Sequence, residues 1–273
     1  MISTPENIIS VMERVYGVDV ARYSEQFLVS AINKRMGLAG VQQEEEYLNL
    51  LNSNHAEGSG LINSLNISYS EFFRNPVTFS LLEQIVLPKI IERKKKGGEL
   101  RIWSAGCAAG QEPYSAAILL DYLVDREKIA IPLRIFATDI NAEEISSAKE
   151  GSYNFASIQN IPVKFVDRYF EKRNNLFHIS ELIKNKVDFS VYDLMDSRSV
   201  FPPSSIYGDF DLVFCCNLLF YYKDTVRKNI LNNLARSLSA GGFFITGEAE
   251  SAIVEQNIKF GRFSVQAGIY QKL

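Results

Sequence analysis

The stretch LRIWSAGCAAGQEPYS, residues 100–115, decides the fold of this chain. The apolar run 100–103 predicts a strand, the small residues 105–110 predict a loop, and residues 111–113 open a helix. In an open α/β sheet such a loop lies at the carboxyl end of a strand, where its bare backbone N–H groups can face a nucleotide-like ligand. The spacing is neither GxGxxG nor the phosphate-binding GxxxxGK, because no lysine follows Gly110.

Length and composition narrow the class of protein. The chain has 273 residues, 47% of them hydrophobic, which predicts one large folded domain or a large domain with a small companion. A net charge of −3 argues against a nucleic-acid binder that relies on positive charge. Three cysteines and two histidines predict neither a disulfide framework nor a His-rich metal site, and they fit a reducing cytoplasm. The N-terminal residues lack the pattern of a signal peptide, and no apolar run matches a membrane span.

Two patterns of apolar residues divide the chain. Helical spacing predicts an N-terminal helical domain over residues 1–75, and a second domain extends over 76–273. From Leu100 onward strands alternate with helices, which predicts an α/β domain built on a parallel sheet with crossovers. Residues from about 151 to 190 interrupt this alternation and predict a small inserted β-subdomain.

Two details of these patterns are specific enough to check. A long helix opens at Pro76, and Pro88 lies inside its apolar stripe, where a proline should kink or split the helix. Residues 263–271 alternate like a further strand, which we expect at an antiparallel edge of the sheet.

Three polar residues follow predicted strands, where a doubly wound sheet gathers its ligand contacts. Asp139 suits a ribose diol, because a carboxylate accepts two hydroxyl hydrogen bonds; its alternative is the N-cap of the next helix. Asp193 suits an adenine amino group or is a turn residue. Asn217 either bridges the backbone and a ligand or shapes the turn.

Two further segments contribute an arginine and a tyrosine pair near the predicted site. Arg74, in SEFFRNP, lies at the junction between the helical part and the sheet and is a candidate anion binder; otherwise it is a surface residue. Tyr221 and Tyr222 follow the strand that ends near Cys216, although one tyrosine of such a pair is often a core residue with its hydroxyl at the surface.

Together these segments resemble the chemotaxis receptor methyltransferase (CheR) family, from the N-terminal helices to about Glu250. The resemblance rests on motifs that occur in the same order and at similar spacing: SEFFRNP, WSAGCAAGQEPYS, FATDI, RYF, FDLVFCCNLLFYY and GGFFITGEAES. It implies a small helical domain, a Rossmann-like class I methyltransferase sheet and an inserted antiparallel β-subdomain. It also implies a cytoplasmic enzyme that transfers a methyl group from S-adenosylmethionine to glutamates in the cytoplasmic region of chemotaxis receptors and releases S-adenosylhomocysteine. Contact with the membrane would be through the receptor only, with no metal and no nucleic acid.

The resemblance also assigns roles by position. The implied cofactor-binding residues are Ser70, Arg74, Ala105, Gln111, Asp139, Asp193, Leu194 and Asn217. Arg74 and Tyr221 match residues that position the reacting groups and are the implied catalytic pair.

Two departures from the family pattern keep alternatives open. Cys216 stands where relatives usually have arginine, and a thiol cannot form a bidentate contact with a carboxylate. Gln111 stands where they often have glutamate, so the attraction to a cationic cofactor is weaker. The alternatives are a cofactor-binding regulatory protein with weakened or lost transfer, and a methyltransferase of another carboxylate acceptor or small molecule. A nicotinamide-dependent dehydrogenase is disfavoured by the glycine spacing.

Overall fold

The computed structural model describes residues 4–95, 97–196, 198–264 and 266–273. The chain forms two compact units. The first comprises the residues up to Ile67 together with Leu218–Arg227, and the second comprises Ser68–Asn217 with Lys228–Leu273. The segment Leu218–Arg227, which the sequence pattern places in the second domain, is thus part of the first unit. Within the described ranges, no helix is long and apolar enough to cross a membrane.

The first unit is helical, as predicted. Its four N-terminal helices are α1 (Glu6–Tyr16), α2 (Glu25–Leu38), α3 (Glu44–Ser53) and α4 (His55–Leu65). The carboxylate of Glu57, on α4, is buried between helices and accepts hydrogen bonds from Arg35 at 2.6 and 3.0 Å and from the Tyr47 hydroxyl at 2.8 Å. These contacts compensate the burial of the charge and join α2, α3 and α4.

The segment Leu218–Arg227 joins the first unit through backbone pairing. A 3₁₀ turn at Leu219–Tyr221 precedes α12 (Asp224–Ser237), and Tyr222 forms a bridge with Tyr23. The N–H of Ser24 donates to the carbonyl of Tyr221 at 2.7 Å, and the ring of Tyr221 lies 4.7 Å from that of Phe27, measured between centroids.

The second unit is built on a seven-stranded sheet in the order β6-β2-β1-β7-β8-β10-β9. The strands are β1 (Leu100–Ala105), β2 (Leu133–Asp139), β6 (Val187–Val191), β7 (Phe210–Cys215), β8 (Leu238–Thr246), β9 (Phe260–Arg262) and β10 (Ile269–Lys272). The first five in spatial order are parallel, and β10 is antiparallel to both β8 and β9. This confirms the predicted Rossmann-like α/β sheet.

Helices connect the strands of this sheet. They are α5 (Pro76–Leu81), α6 (Leu87–Lys94), α7 (Gln111–Glu127), α8 (Ala142–Glu150), α9 (Phe155–Ile158), α10 (Val163–Tyr169), α11 (Glu181–Lys184) and α13 (Ser251–Val254). The chain leaves β1 toward β2 on one side and later adds β7 on the other, so the strand order reverses between β1 and β7. The carboxyl ends of strands at such a reversal form a ligand-binding crevice.

A separate three-stranded antiparallel sheet is inserted between α8 and α11, as predicted. It contains β3 (Ser152–Tyr153), β4 (Phe170–Arg173) and β5 (Leu176–Ile179) in the order β3-β5-β4. The strand β6, which the sequence pattern groups with this insertion, lies instead at the edge of the large sheet and is parallel to β2.

Two other local expectations can be compared with the structure. The α-helix opened by Pro76 is interrupted near Pro88, as expected, but by a π-helical turn, Leu82–Val86, that lies immediately before α6 and not by a break at the proline itself. That wider turn accommodates a residue that has no N–H and whose ring would clash with the preceding turn. The strand predicted over residues 263–271 starts later than expected, because β9 ends at Arg262 and β10 begins at Ile269. Its antiparallel placement at this side of the sheet is confirmed by the pairing of β10 with β8 and β9. Val265 lies outside the described residues.

The buried carboxylate of Asp211, on β7, anchors α6 to the sheet. It is 1% exposed, and its oxygens lie 2.7 Å from Arg93 Nη2 and 3.0 Å from Lys94 Nζ. It also accepts a hydrogen bond from the backbone N–H of Arg101, on β1, at 3.0 Å. Replacing the carboxylate by an amide would remove the negative charge that faces two cations and leave one acceptor oxygen for three donors.

We therefore expect Asp211→Asn to lower the free energy of unfolding of the second unit by about 2–4 kcal/mol. Urea titration followed by the fluorescence of Trp103, the sole tryptophan, reports on this unit because Trp103 lies on β1. The matched change Asp167→Asn, at an exposed position on α10, should stay within about 0.5 kcal/mol of the wild type. Equal effects of the two substitutions would contradict the anchoring role.

Candidate functional site

A cavity of about 480 Å³ opens in the second unit at the carboxyl ends of β1, β7 and β8. Its walls are residues 69–71 and 74–79, Gly106 after β1, Glu112 on α7, Phe214 and residues 216–217 at the end of β7, and residues 245–249 at the end of β8. The volume is within the range of about 300–1,000 Å³ that is usual for small-molecule sites. The cavity therefore lies at the predicted edge of the sheet.

The turn after β1 is held by the end of β2. The carbonyl of Thr138 accepts hydrogen bonds from the N–H groups of Gly106 and Cys107 at 2.8 and 2.9 Å. The Asp139 carboxylate accepts from the N–H of Ala108 at 2.9 Å. The expectation that these N–H groups are open to a ligand is therefore wrong, because they bond within the fold. Side chains and the shape of the loop remain to hold a ligand.

Gly110 ends this turn in a conformation that needs glycine. Its φ is +88°, and a Cβ atom there would lie 2.9 Å from the Cβ of Ala148 and 3.2 Å from the Phe189 ring. Close contact with α8 and β6 thus fixes the start of α7 and the direction of its first side chains.

Asp139 connects two elements at the end of β2. Besides Ala108, its carboxylate accepts a hydrogen bond from the N–H of Asn141 at 2.9 Å. Burial raises its pKa, although the backbone hydrogen bonds favour the charged form and partly offset that effect. The N-cap alternative for Asp139 is wrong, because Asn141 caps α8 by accepting from Glu143 N–H. The ribose assignment stays a prediction.

Of the two polar side chains that begin α7, the one that lines the cavity is Glu112. Sequence reasoning assigned the cofactor contact to its neighbour Gln111, which is 8% exposed and is not among the described residues that line the cavity. Adjacent residues of a helix point about 100° apart, so the choice depends on the rotation of the helix, which local sequence does not give. The sequence does contain a signal that favours Glu112, because it is an acidic residue in the first turn of a helix that follows a glycine loop.

Glu112 is hydrogen-bonded on two sides. It accepts from the Ser104 hydroxyl at 2.7 Å and forms a hydrogen bond with the thiol of Cys216, whose sulfur also lies 3.7 Å from the Ile245 carbonyl oxygen. Burial raises the pKa of Glu112 to about 7, while the two hydrogen bonds and the charge of Arg74 act in the opposite direction. Burial, followed by the charges of Glu112 and Glu250, raises the pKa of the Cys216 thiol well above its usual value. The residue that replaces the usual arginine is therefore a neutral thiol facing a carboxyl group.

The raised pKa of Glu112 predicts a pH-dependent stability. Protonated Glu112 favours the folded state, so this contribution is complete below the ordinary pKa of 4.5 and is lost as the pH rises toward about 7. In Glu112→Gln the side chain cannot ionise. Its free energy of unfolding should therefore rise relative to wild type by roughly 3 kcal/mol between pH 4.5 and pH 8. Urea titrations across this range test the prediction, and a constant difference between the two proteins would contradict it.

Arg74 and Ser70, two of the predicted site residues, both line the cavity. Arg74 is exposed; its guanidinium lies 5.2 Å from the centroid of the Tyr69 ring and donates to the Tyr69 carbonyl at 3.3 Å. The next residue, Asn75, accepts a hydrogen bond from the N–H of Thr78 and so caps α5, which fixes the end of this segment.

Other predicted site residues lie at strand ends or in the other unit. Ala105 is the last residue of β1 and is fully buried. Asp193 and Leu194 follow β6, where Asp193 accepts a hydrogen bond from the N–H of Met195 at 3.0 Å and so shapes a turn. Among the described residues that line the cavity are Ser70, Arg74 and Asn217, and not Ala105, Gln111, Asp139, Asp193 or Leu194. Tyr221 belongs to the helical unit.

The donor set of the second unit fits S-adenosylmethionine. The buried Oε1 of Gln111 has no hydrogen-bond partner within the described ranges, so it can accept from a ligand. Asp139 and Asn217 add a carboxylate and an amide at the ends of β2 and β7, which suits the hydroxyl, amino and ammonium groups of that molecule. No group of three or more metal-ligating side chains is arranged to hold an ion in the part of the chain that the structure describes.

Comparison with known proteins identifies both units. The family model described as CheR methyltransferase, SAM binding domain, matches residues 68–269, and the model described as CheR methyltransferase, all-alpha domain, matches residues 6–65. A chemotaxis protein methyltransferase of Borreliella burgdorferi is 28% identical over 258 residues, which are 93% of this chain and 89% of the relative. Chemotaxis protein methyltransferase 1 of Pseudomonas aeruginosa is 30% identical over 250 residues, 88% of this chain and 87% of the relative. The chemotaxis protein methyltransferase of Escherichia coli is 29% identical over 243 residues, 86% and 79% of the two chains.

Proposed function

The chain belongs to the CheR methyltransferase family, and we propose that it methylates glutamate side chains in the cytoplasmic region of chemotaxis receptors. The family matches confirm the predicted resemblance, the use of S-adenosylmethionine and the enzyme class, a protein-glutamate O-methyltransferase. The receptor as acceptor rests on the relatives' names, as does the cytoplasmic location that this acceptor requires. The observation that supports the proposal most directly is the cavity at the reversal of the strand order, lined by a guanidinium, an amide and a carboxyl group.

In this proposal the cofactor is held by side chains gathered at the strand ends. Asp139 accepts hydrogen bonds from the ribose, Gln111 offers its buried Oε1, and Asn217 presents its amide to the cavity. Ser70, Ala105, Asp193 and Leu194 complete the predicted set, with Asp193 next to the adenine. S-adenosylmethionine supplies an electrophilic methyl group on a sulfonium centre.

The acceptor needs orientation rather than activation. A glutamate side chain has an ordinary pKa of about 4.3, so it is already ionised at neutral pH and requires no general base. Arg74 can bind one carboxylate oxygen and leave the other directed at the methyl group, and the Tyr221 hydroxyl is proposed to help in this alignment. Such orientation supplies up to about 7–11 kcal/mol of the barrier reduction. Because carboxylate and sulfonium charges cancel as the ester forms, a cavity that excludes water favours the reaction.

The direct test is methyl transfer. We expect the full chain, incubated with methyl-labelled S-adenosylmethionine and receptor-containing membranes, to place alkali-labile label on receptor glutamates. Receptor in which the acceptor glutamates are replaced by alanine is the control and should remain unlabelled. Cofactor binding without any transfer would instead support the regulatory alternative, and label on another carboxylate would overturn the proposed acceptor.

Two substitutions test the assigned roles. Arg74→Ala should lower kcat/KM for receptor roughly 10- to 100-fold, because a charge-assisted contact is lost. Tyr221→Phe should lower kcat by up to about tenfold and change cofactor affinity less. Initial rates and calorimetric titration with S-adenosylhomocysteine separate the two effects.

The control for these variants is Arg126→Ala, near the end of α7, where the arginine is half-exposed and paired with its neighbour Glu127. This substitution should leave kcat and kcat/KM for receptor within about twofold of the wild-type values. Unchanged turnover in Arg74→Ala, or a loss confined to cofactor affinity in Tyr221→Phe, would show that the corresponding role is wrong.

A further inference from the structure

We propose that Glu250 is a positioning residue for the cofactor and that it acts through Asn217. Neither sequence reasoning nor the family assignment gives this residue a role. The inference rests on the proposed function, because the contact of Asn217 with the cofactor is itself a prediction. It goes further by naming what fixes Asn217 in place.

The side chain of Glu250 gathers donors from two neighbouring strand ends. It is fully buried, and its Oε2 accepts hydrogen bonds from the N–H of Asn217 at 2.7 Å, the hydroxyl of Thr246 at 2.9 Å and the N–H of Gly247 at 3.1 Å. Asn217 follows β7, whereas Thr246 and Gly247 end β8, and all three line the cavity. One carboxylate oxygen thus joins two walls of the site.

Asn217 adopts a backbone conformation that needs this support. Its φ is +59°, in the left-handed region that L-residues other than glycine visit at a cost and that asparagine tolerates better than most. In this conformation its N–H points to Glu250 at the shortest distance of the three contacts. Losing the acceptor would leave this N–H without its charged partner and release the turn.

The side chain of Asn217 is confined from the other side by Gly247. A Cβ atom on Gly247 would lie 2.8 Å from Asn217 Nδ2 and 3.1 Å from Glu250 Oε2, so the absence of a side chain there makes room for both groups. The Asn217 amide is therefore held between a backbone hydrogen bond to Glu250 and close packing over Gly247.

The position of Glu250 suits a residue that fixes the loops around the cavity and does not itself contact a ligand. It is absent from the described residues that line the cavity, and the short turn Glu248–Glu250, closed by a hydrogen bond from Glu250 N–H to the Gly247 carbonyl at 3.0 Å, returns its carboxylate behind the strand ends. A buried carboxylate is stable only with such donors, so its presence enforces the arrangement of the loops that provide them.

The experiment is calorimetric titration of the full chain with S-adenosylhomocysteine. Glu250→Ala and Glu250→Asp should weaken binding roughly 10- to 100-fold, because the first removes the acceptor and the second retracts it by one methylene. Glu250→Gln keeps an oxygen of the same reach and should stay within about tenfold of wild type. If Glu250→Ala fails to fold, as judged by Trp103 fluorescence, Glu250→Asp carries the test.

A control and a coupled variant separate positioning from general stability. Glu255→Gln changes a nearby glutamate that contacts Tyr270 and Arg262, and it should leave binding within about twofold of wild type. Asn217→Gly removes the side chain and tolerates the positive φ. If Glu250 acts through Asn217, the double variant Glu250→Asp/Asn217→Gly should lose much less affinity for S-adenosylhomocysteine than the product of the two single fold-losses.

The outcomes distinguish this inference from the proposed function. Failure of the wild-type chain to bind S-adenosylhomocysteine would overturn the proposed function. Wild-type binding that is unchanged in a folded Glu250→Ala or Glu250→Asp, or losses that multiply fully with Asn217→Gly, would overturn the positioning role alone.

Discussion

The hydrogen bonds between the turn after β1 and the end of β2 determine where the site forms. Thr138 and Asp139 accept from three consecutive N–H groups, those of Gly106, Cys107 and Ala108. The indole N–H of Trp103 adds a buried bond to the Thr138 hydroxyl at 3.0 Å. Because this turn cannot move independently of β2, the start of α7 and the side chain of Glu112 have a fixed relation to the strand ends. Because these three N–H groups are bonded to Thr138 and Asp139, they do not serve as donors to a ligand.

Buried carboxylates perform distinct tasks according to the donors that surround them. Asp211 meets two cations and an amide, and it joins α6 to the sheet on β7. Glu250 meets two amides and a hydroxyl and joins the ends of β7 and β8. Glu112 accepts a hydrogen bond from the Ser104 hydroxyl and forms one with the Cys216 thiol, and burial raises its pKa to about 7. The donors around Asp211 and Glu250 join separate elements of the fold, whereas burial of Glu112 leaves a carboxyl group whose pKa lies near neutral pH.

The sequence predicted most of the fold because its main signals are local. Alternating strands and helices after Leu100 are enough to indicate a parallel sheet, and the glycine loop locates its binding edge. Pairing between distant segments is not encoded locally. For this reason β6 was assigned to the wrong sheet, and the pairing of Tyr222 with Tyr23, which brings Tyr221 into the helical unit, was not foreseen.

The site was predictable only to the level of its segments. Of the predicted cofactor-binding residues, Ser70, Arg74 and Asn217 line the cavity, whereas Ala105, Gln111, Asp139, Asp193 and Leu194 are not among the described residues that do. The choice between Gln111 and Glu112 depended on helix rotation. Glu250 lay inside a recognised motif, GGFFITGEAES, but its task follows from a left-handed turn at Asn217 more than thirty residues earlier, and only coordinates reveal that contact.

The resemblance implies an arginine at the position of Cys216, and a thiol there gives the cavity a different charge balance. A second guanidinium would keep Glu112 ionised, whereas the thiol is neutral and its own pKa is raised by burial and by Glu112. Arg74 then supplies a positive charge that offsets part of the rise in the pKa of Glu112, and it is also the group proposed to bind the acceptor carboxylate. An ionised Glu112 would compete for Arg74 and repel the acceptor, while a protonated one would do neither. With a thiol at position 216, Glu112 can be neutral. A neutral Glu112 is compatible with acceptor binding, whereas a permanently charged Glu112 would oppose it.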